Sequence, residues 1–394
     1  MSKPTLASVT VCVVAAAVVL GGVAAAQQRP QLKSYRNQYY EIRSDLDPAT
    51  VREALLRSDL MARAYTRRTE GFARRLTARM PLYLFRDPED YYRAGAVPGS
   101  AGSFVVDRDG KGKLLVLAGP QVHPGVWATM QHEGFHQFVH AVIGDVPVWV
   151  NEGLAEYFGE GLFTGDDYLT GVVRPERLAE LRGYIRDRRL RPFMDLMRTN
   201  LREWNSNLSG VNYTQAWSMV HFLAHGSPRY QKAFGTFLSE ISRGVPWERA
   251  WTEQFGGDVS AFERAWRDYW EKMSPDESAD LYRKAIVLTM TSYYGRAFSQ
   301  RQSFKEMSEF FDAARRGSLR AHAEDWLPPS LLETRLPIAE RIGTWWIDPR
   351  QPRSLYCQIS EQTTLMGSFQ VEHGRIKPGS VRVRVMAAAT ARPR

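Results

Sequence analysis

The stretch "QHEGFHQFVHAVIGDVPVWVNEGLAEYF", residues 131–158, decides how this chain is read. It holds His-Glu-x-x-His at 132–136, and after a short connection it brings two further acids, Glu152 and Glu156. Residues four apart on an α-helix share a face and lie about 6 Å apart along the axis. His132 and His136 can therefore turn their imidazoles toward one cation. Glu133 projects beside them, where its carboxylate can take a proton from water held by that cation. An open catalytic zinc site carries three protein ligands, so one more is required.

The candidates are His140, Glu152 and Glu156. His140 continues the same helix but lies about 12 Å along the axis from His132, too far to share an ion. It reads as a half-buried helix residue. Gly144-Asp145-Val146-Pro147 supplies a turn, after which "VWVNEGLAEYF" forms a second helix that crosses the first. Glu152, near the start of that helix, can complete the set with His132 and His136. Glu156, one turn on and on the same face, can accept a hydrogen bond from the other nitrogen of a ligand histidine. Gly134 costs about 1 kcal/mol of helix propensity relative to Ala, so a close contact is expected beside it.

His-Glu-x-x-His followed by Asn151-Glu152-Gly153 and Ala155 resembles the gluzincin metallopeptidases, whose third ligand is the Glu of the second motif. Gln137 and Asn151-Glu152-Gly153 resemble the aminopeptidase N branch, and Glu152 with Glu156 resembles the thermolysin-like pairing of a ligand with a supporting acid. Fifteen residues lie between His136 and Glu152, fewer than in the aminopeptidases. This spacing is closer to compact peptidase MA-like bacterial proteins of the DUF1570 kind. The segment "NYTQAWSMVHFL", residues 212–223, is similar to the Tyr-x-Lys-Gly-Ala segment of the aminopeptidases, with Gln215-Ala216 in place of Lys-Gly. The resemblance puts Tyr213 where a tyrosine hydroxyl stabilises the oxyanion; should another donor take that role, His221 or His225 is next in line, because both fall on the same expected helix. It covers roughly residues 100–275.

Outward from the motif, the N-terminus has the pattern of an export signal. Lys3 precedes an apolar run from Leu6 to Val23, and Ala24-Ala25-Ala26 ends it as a signal peptidase site would. The expectation is a signal peptide over residues 1–26 and an exported protein, periplasmic or secreted. If uncleaved, residues 4–28 are long enough to anchor the chain in a membrane. Cys12 lies inside that run and leaves Cys357 alone in the mature chain, so no intramolecular disulfide is expected. The formal net charge is +9, partly from "RGYIRDRRLRP" at 182–192, which reads as a solvated face. No nucleic-acid recognition motif is present.

The expected fold class is α+β. Residues 27–123 read as a mixed β-sheet with a long helix: strands at 39–44 and 81–85, a helix opening at Asp47-Pro48 and running to about 79, and a hairpin over 103–119 turned by Asp109-Gly110. Residues 124–275 read as a mainly helical zincin-like part, in which Trp247 with Trp251, and Phe262 with Trp266 and Trp270, form a core seam. A helical extension follows over 276–325. Residues 326–394 read as a small β-rich module that starts Pro-rich and ends in a disordered tail.

The function expected from these residues is zinc-dependent peptide hydrolysis. Zn²⁺ is held by His132, His136 and Glu152, Glu133 is the base, Tyr213 stabilises the oxyanion, and an extended peptide or protein substrate pairs with a strand near Leu114–Leu117. The alternatives are an exported zinc-containing binding module, or a zinc hydrolase acting on a non-protein amide such as a cell-wall fragment.

Overall fold

The computed structural model describes residues 31–71 and 74–387. The expected signal peptide and the end of the expected tail lie outside these residues. Among the described residues no helix is long and apolar enough to cross a membrane. The fold is α+β, and the chain forms two compact units: residues up to Glu160 with Glu176–Met273, and Gly161–Pro175 with residues from Ser274 on.

In the first unit, β1 Lys33–Arg36, β2 Tyr40–Ser44, β3 Met80–Phe85, β4 Gly102–Val106 and β5 Gly112–Leu117 form one mixed sheet in the order β1-β2-β3-β5-β4. β2, β3 and β5 run parallel, and the two outer strands run antiparallel to their neighbours. Parallel strands need a crossover, and α1 Pro48–Thr69 provides the one between β2 and β3. Asp47 caps it by accepting from the Ala49 and Thr50 N–H groups, with Pro48 in the first turn. The helix ends ten residues before the expected 79. Gly71 follows its last turn, and the Arg74 N–H then pairs with the Val142 carbonyl at 2.8 Å, which takes the chain out of helical register. β1 was not expected from the sequence. The short α2 Pro88–Arg93 connects β3 to the β4–β5 hairpin.

α3 Gly125–Val142 lies against β4 and β5, flanked by α1 and by α4 Val148–Gly159. Every residue from Thr129 to Val139 is buried. A helix enclosed on all sides must find a partner for each polar side chain it carries, which is the constraint that builds the site. Gly134 is the close contact expected from the sequence: a Cβ there would lie 2.7 Å from Met61 Cε on α1.

The unit is completed by α5 Pro175–Arg186, α6 Phe193–Met197, α7 Leu201–Ser206, α8 Gly210–His225, α9 Pro228–Ser242, α10 Trp247–Phe255 and α11 Val259–Lys272. The expected aromatic seam forms: Trp251, Phe262, Trp266 and Trp270 are buried, and the indole N–H groups of Trp266 and Trp270 donate to Ser218, each at 3.2 Å. Trp247 is only half-buried. Part of the basic run has a structural use, since Arg182 donates to the carbonyls of Trp270 and Glu271 at the end of α11, both at 3.0 Å. Arg191 pairs with Glu203 at 3.0 Å.

In the second unit, β6 Leu162–Phe163 pairs with β7 Tyr168–Leu169. The helices are α12 Pro275–Ser299, α13 Met307–Arg315 and α14 Pro329–Ile342. β8 Thr344–Trp346, β9 Ser354–Gln358, β10 Thr363–Ser368 and β13 Arg382–Ala387 form an antiparallel sheet in the order β13-β10-β9-β8, and β11 Val371–Glu372 pairs with β12 Arg375–Ile376. α12 packs on the larger sheet. α14 was not expected, since this stretch reads as the Pro-rich start of a β module, and Pro337 falls inside the helix. The buried Leu331, Leu332, Leu336 and Ala339 recur at helical spacing and hold it in place. Arg296, 6% exposed, sits between Asp166 at 2.8 Å and Asp325 at 2.7 Å, and so fastens the 161–175 excursion to α12. Cys357 is buried and free, and burial pushes its thiol up to about 12.

α4 and α8 cross at Gly153, where a Cβ would lie 2.6 Å from the Ala216 carbonyl oxygen. Backbone cannot give way as a methionine tip can. Gly153→Ala should therefore destabilise the protein by about 1–3 kcal/mol and Gly134→Ala by less, read as the order of their melting temperatures. The reverse order would mean that the α4–α8 crossing is not tight.

Candidate metal centre

α3 and α4 meet through the turn that begins at Gly144, whose φ of 95° belongs to the left-handed region that glycine adopts most easily. The turn sets the second helix so that Glu152 faces His132 and His136. The two Nε2 atoms lie 3.2 Å apart. Glu152 Oε2 is 3.7 Å from His132 Nε2 and 3.6 Å from His136 Nε2. All three residues are buried, and they form one group able to hold a metal ion.

The other ring nitrogens are already engaged. His132 Nδ1 lies 3.2 Å from Glu156 Oε1, and His136 Nδ1 lies 3.0 Å from Asn151 Oδ1. An Nδ1–H donating to an oxygen leaves Nε2 as the nitrogen that can offer a lone pair to a metal, and here both Nε2 atoms point at one place. Two nitrogens on one tetrahedral zinc at about 2.0–2.1 Å would be about 3.3–3.4 Å apart, close to the spacing seen. Glu152 Oε2 is buried without a hydrogen-bond partner, an arrangement that costs free energy unless a cation takes it up. Donor set, spacing and orphaned oxygen all fit Zn²⁺, and they fit other divalent ions that accept nitrogen and oxygen.

The electrostatics agree. Burial opposes charge on His132, but the Glu152 and Glu156 carboxylates overcome it and hold its pKa well above the usual range. His136 is raised in the same way, burial being outweighed by Glu152. Burial would raise Glu152 and Glu156, yet the histidines, and Arg177 for Glu156, hold both below the ordinary carboxylate range. The pocket attracts positive charge, as protons or as a cation.

Glu133 is 2% exposed, and its Oε2 accepts from the Phe104 N–H at 3.1 Å. The Leu117 N–H donates to the Ala101 carbonyl at 2.9 Å, so alternation along this antiparallel pair puts the bonds at Ser103 and Val105, and Gly102, Phe104 and Val106 turn theirs away from β5. Among the described residues β4 is an edge strand, with β5 as its one neighbour in the sheet. The expected pairing site near Leu114–Leu117 is corrected by this order, because β5 lies between β3 and β4 with both sides occupied. Glycine at 102 also makes room for the site: a Cβ there would lie 2.9 Å from Glu133 Cγ.

Tyr213 stands in the first turn of α8, 6% exposed, with its ring edge-on to Trp204 at 5.2 Å. His221 Nδ1 lies 3.4 Å from the Tyr269 hydroxyl, and His225 Nε2 lies 3.0 Å from that of Tyr157. Burial pushes His225 down to about 4. His140 is exposed rather than half-buried and sits outside the metal group, with Nε2 3.2 Å from the Gly110 carbonyl. Sequence reasoning missed the supporting roles of Asn151 and Arg177. The adjacency of Asn151 to Glu152 offered a signal for the first; nothing did for the second.

Residues 126–248 match the family described as Protein of unknown function (DUF1570). No curated protein matches the chain. The matched segment runs from the start of α3 into α10 and contains His132, Glu133, His136, Glu152, Glu156, Arg177 and Tyr213.

Purified protein should take up about one zinc per chain, and His136→Ala or Glu152→Ala should lose most of it. Because the histidine pKa values are raised, uptake near neutral pH should expel roughly one to two protons per ion, and affinity should fall as pH falls. Calorimetry in two buffers of different ionisation enthalpy reads the proton count. A count of zero would show that the imidazoles are already deprotonated.

Proposed function

We propose that this chain is a zinc-dependent hydrolase and that its substrate is an extended peptide. The observation that carries the reading is Glu133: a buried carboxylate beside three convergent metal donors, which a purely structural site does not need. His132, His136 and Glu152 would hold the ion, which when bound supplies a Lewis acid and lowers the pKa of water toward neutrality.

The chain's own groups do the rest. Glu133 accepts a proton at its carboxylate and returns it to the leaving amine. Asn151 and Glu156 fix the rings of His136 and His132. β4 is an edge strand, so an extended substrate that reached it would pair with the outward N–H and C=O groups of Gly102 and Val106, on either side of Phe104, whose N–H already binds Glu133. This edge favours a peptide over a compact amide. Tyr213 is the proposed donor to the oxyanion.

Glu133→Gln keeps size and removes the base. Zinc content and melting temperature should stay as they are while hydrolysis of a peptide library falls by at least roughly a hundredfold. Equal turnover in the two proteins would sink the mechanism, and turnover of cell-wall amides with none of peptides would replace the substrate class. Absence of any turnover in a zinc-loaded wild-type chain would favour a binding module.

For Tyr213→Phe, loss of one transition-state hydrogen bond should lower kcat by roughly 100 to 1,000-fold with little change in KM or zinc content. A change in stability alone would assign the hydroxyl to packing beside Trp204.

A further inference from the structure

The Glu156 carboxylate divides its two oxygens between different partners. Oε1 meets His132 Nδ1 at 3.2 Å, and Oε2 meets Arg177 Nη2 at 2.6 Å. Arg177 is itself held from several sides. Its Nη1 lies 3.6 Å from Oε1 of Glu160, the residue that caps the C-terminus of α4, and its Cζ stands 4.9 Å above the Trp217 ring on α8. Glu156, Glu160 and Arg177 expose only 18%, 12% and 17% of their side chains, so the pairing is little screened by solvent.

We propose, on the reading of the site as a zinc centre, that Arg177 is a positioning residue: it locks the Glu156 carboxylate that orients His132, and thereby sets how tightly and in what geometry the site holds its cation. A carboxylate that supports a metal-bound histidine has to stay on that histidine. Free to rotate, Glu156 could leave Nδ1 for solvent or swing toward the ion and displace a proper ligand. Arg177 removes that freedom by occupying the second oxygen. Its planar fork does this while its face rests on the indole, a combination that a lysine ammonium cannot reproduce.

The placement is a product of the fold rather than of local sequence. Glu156 and Arg177 are separated by the 161–175 excursion into the second unit, and α5 returns with Leu178 and Leu181 buried, which fixes the helix face that carries Arg177. Glu180 on the same helix meets Thr214 Oγ1 at 3.3 Å, so α5 is also registered against α8.

The test uses the purified full-length chain, with zinc affinity measured by chelator competition and site geometry read from the visible absorption of the cobalt-substituted protein. Arg177→Met should weaken zinc binding about 10 to 100-fold and alter the cobalt bands, while Arg177→Lys should recover part of the affinity and less of the spectrum. If Arg177 works through Glu156, Arg177→Met should add almost nothing in a Glu156→Gln background. Wild-type affinity and spectrum in Arg177→Met, or an undiminished effect in that background, would overturn the proposal, even with a lowered melting temperature. Should Arg177→Met not fold, the Lys variant decides by the same two readouts. A wild-type chain that takes up no zinc would overturn the functional reading together with this one, whereas a zinc-binding wild type matched by its Arg177 variants overturns this one alone.

Discussion

A buried carboxylate oxygen with no hydrogen-bond partner is what the first unit is organised around. Glu152 Oε2 sits 3.6–3.7 Å from two imidazole nitrogens, within reach of a shared ion and too far for a hydrogen bond. Leaving such a group unmet costs about 1–3 kcal/mol, more when it is charged. The surrounding residues do not relieve that cost by rotating, because each is held by something else. Asn151 and Glu156 restrain the rings, Gly144 and Pro147 fix the turn between the helices, and α8 closes on α4 at Gly153. A site that cannot relax is preorganised for the ion that completes it.

Glycine appears where the site needs backbone or a functional side chain to come close. At Gly153 it lets α8 cross the helix that carries Glu152, and at Gly102 it lets Glu133 lie against the edge strand. The second approach joins the carboxylate to the sheet edge. The strand residue whose N–H binds Glu133 belongs to the outward row of β4, so the Glu133 carboxylate and the strand edge are registered to each other by a hydrogen bond rather than by packing alone.

The site was legible in the sequence to the extent that its chemistry is local. His132, Glu133 and His136 follow from helical spacing, and Glu152 follows from one turn and one more helix. Partners brought in from afar were not legible. Arg177 lies 21 residues beyond Glu156, and no periodicity links the two. The same limit explains the strand correction: Asp109-Gly110 between two β-rich runs identifies a hairpin over 103–119, but which of its strands is the edge depends on the parallel pairing of β3 with β5. The overlong α1 reading came from following helical pattern past Thr69 through a stretch that contains Gly71. α14 was missed because the stretch past Trp326 was read as Pro-rich, and the helical spacing of Leu331, Leu332, Leu336 and Ala339 was not followed through it. The basic run at 182–192 read as solvated because Arg182 finds its acceptors in carbonyls of α11, almost ninety residues away.

Charge explains why a dication suits this pocket better than protons alone. Glu133 on α3 and Glu152 and Glu156 on α4 bring three carboxylates to the place where the two helices pack, and Arg177 pairs with Glu156, so negative charge is in excess before Glu160 is counted. That excess is what raises His132 and His136 against burial. Protonating both rings would balance it, but adjacent Nε2 atoms 3.2 Å apart would then carry like charges facing each other. The Coulomb penalty at that separation is large in a poorly solvated interior. A divalent cation placed among them converts the same pair of nitrogens from mutually repelling donors into ligands, and it gives Glu152 Oε2 a partner in the same step.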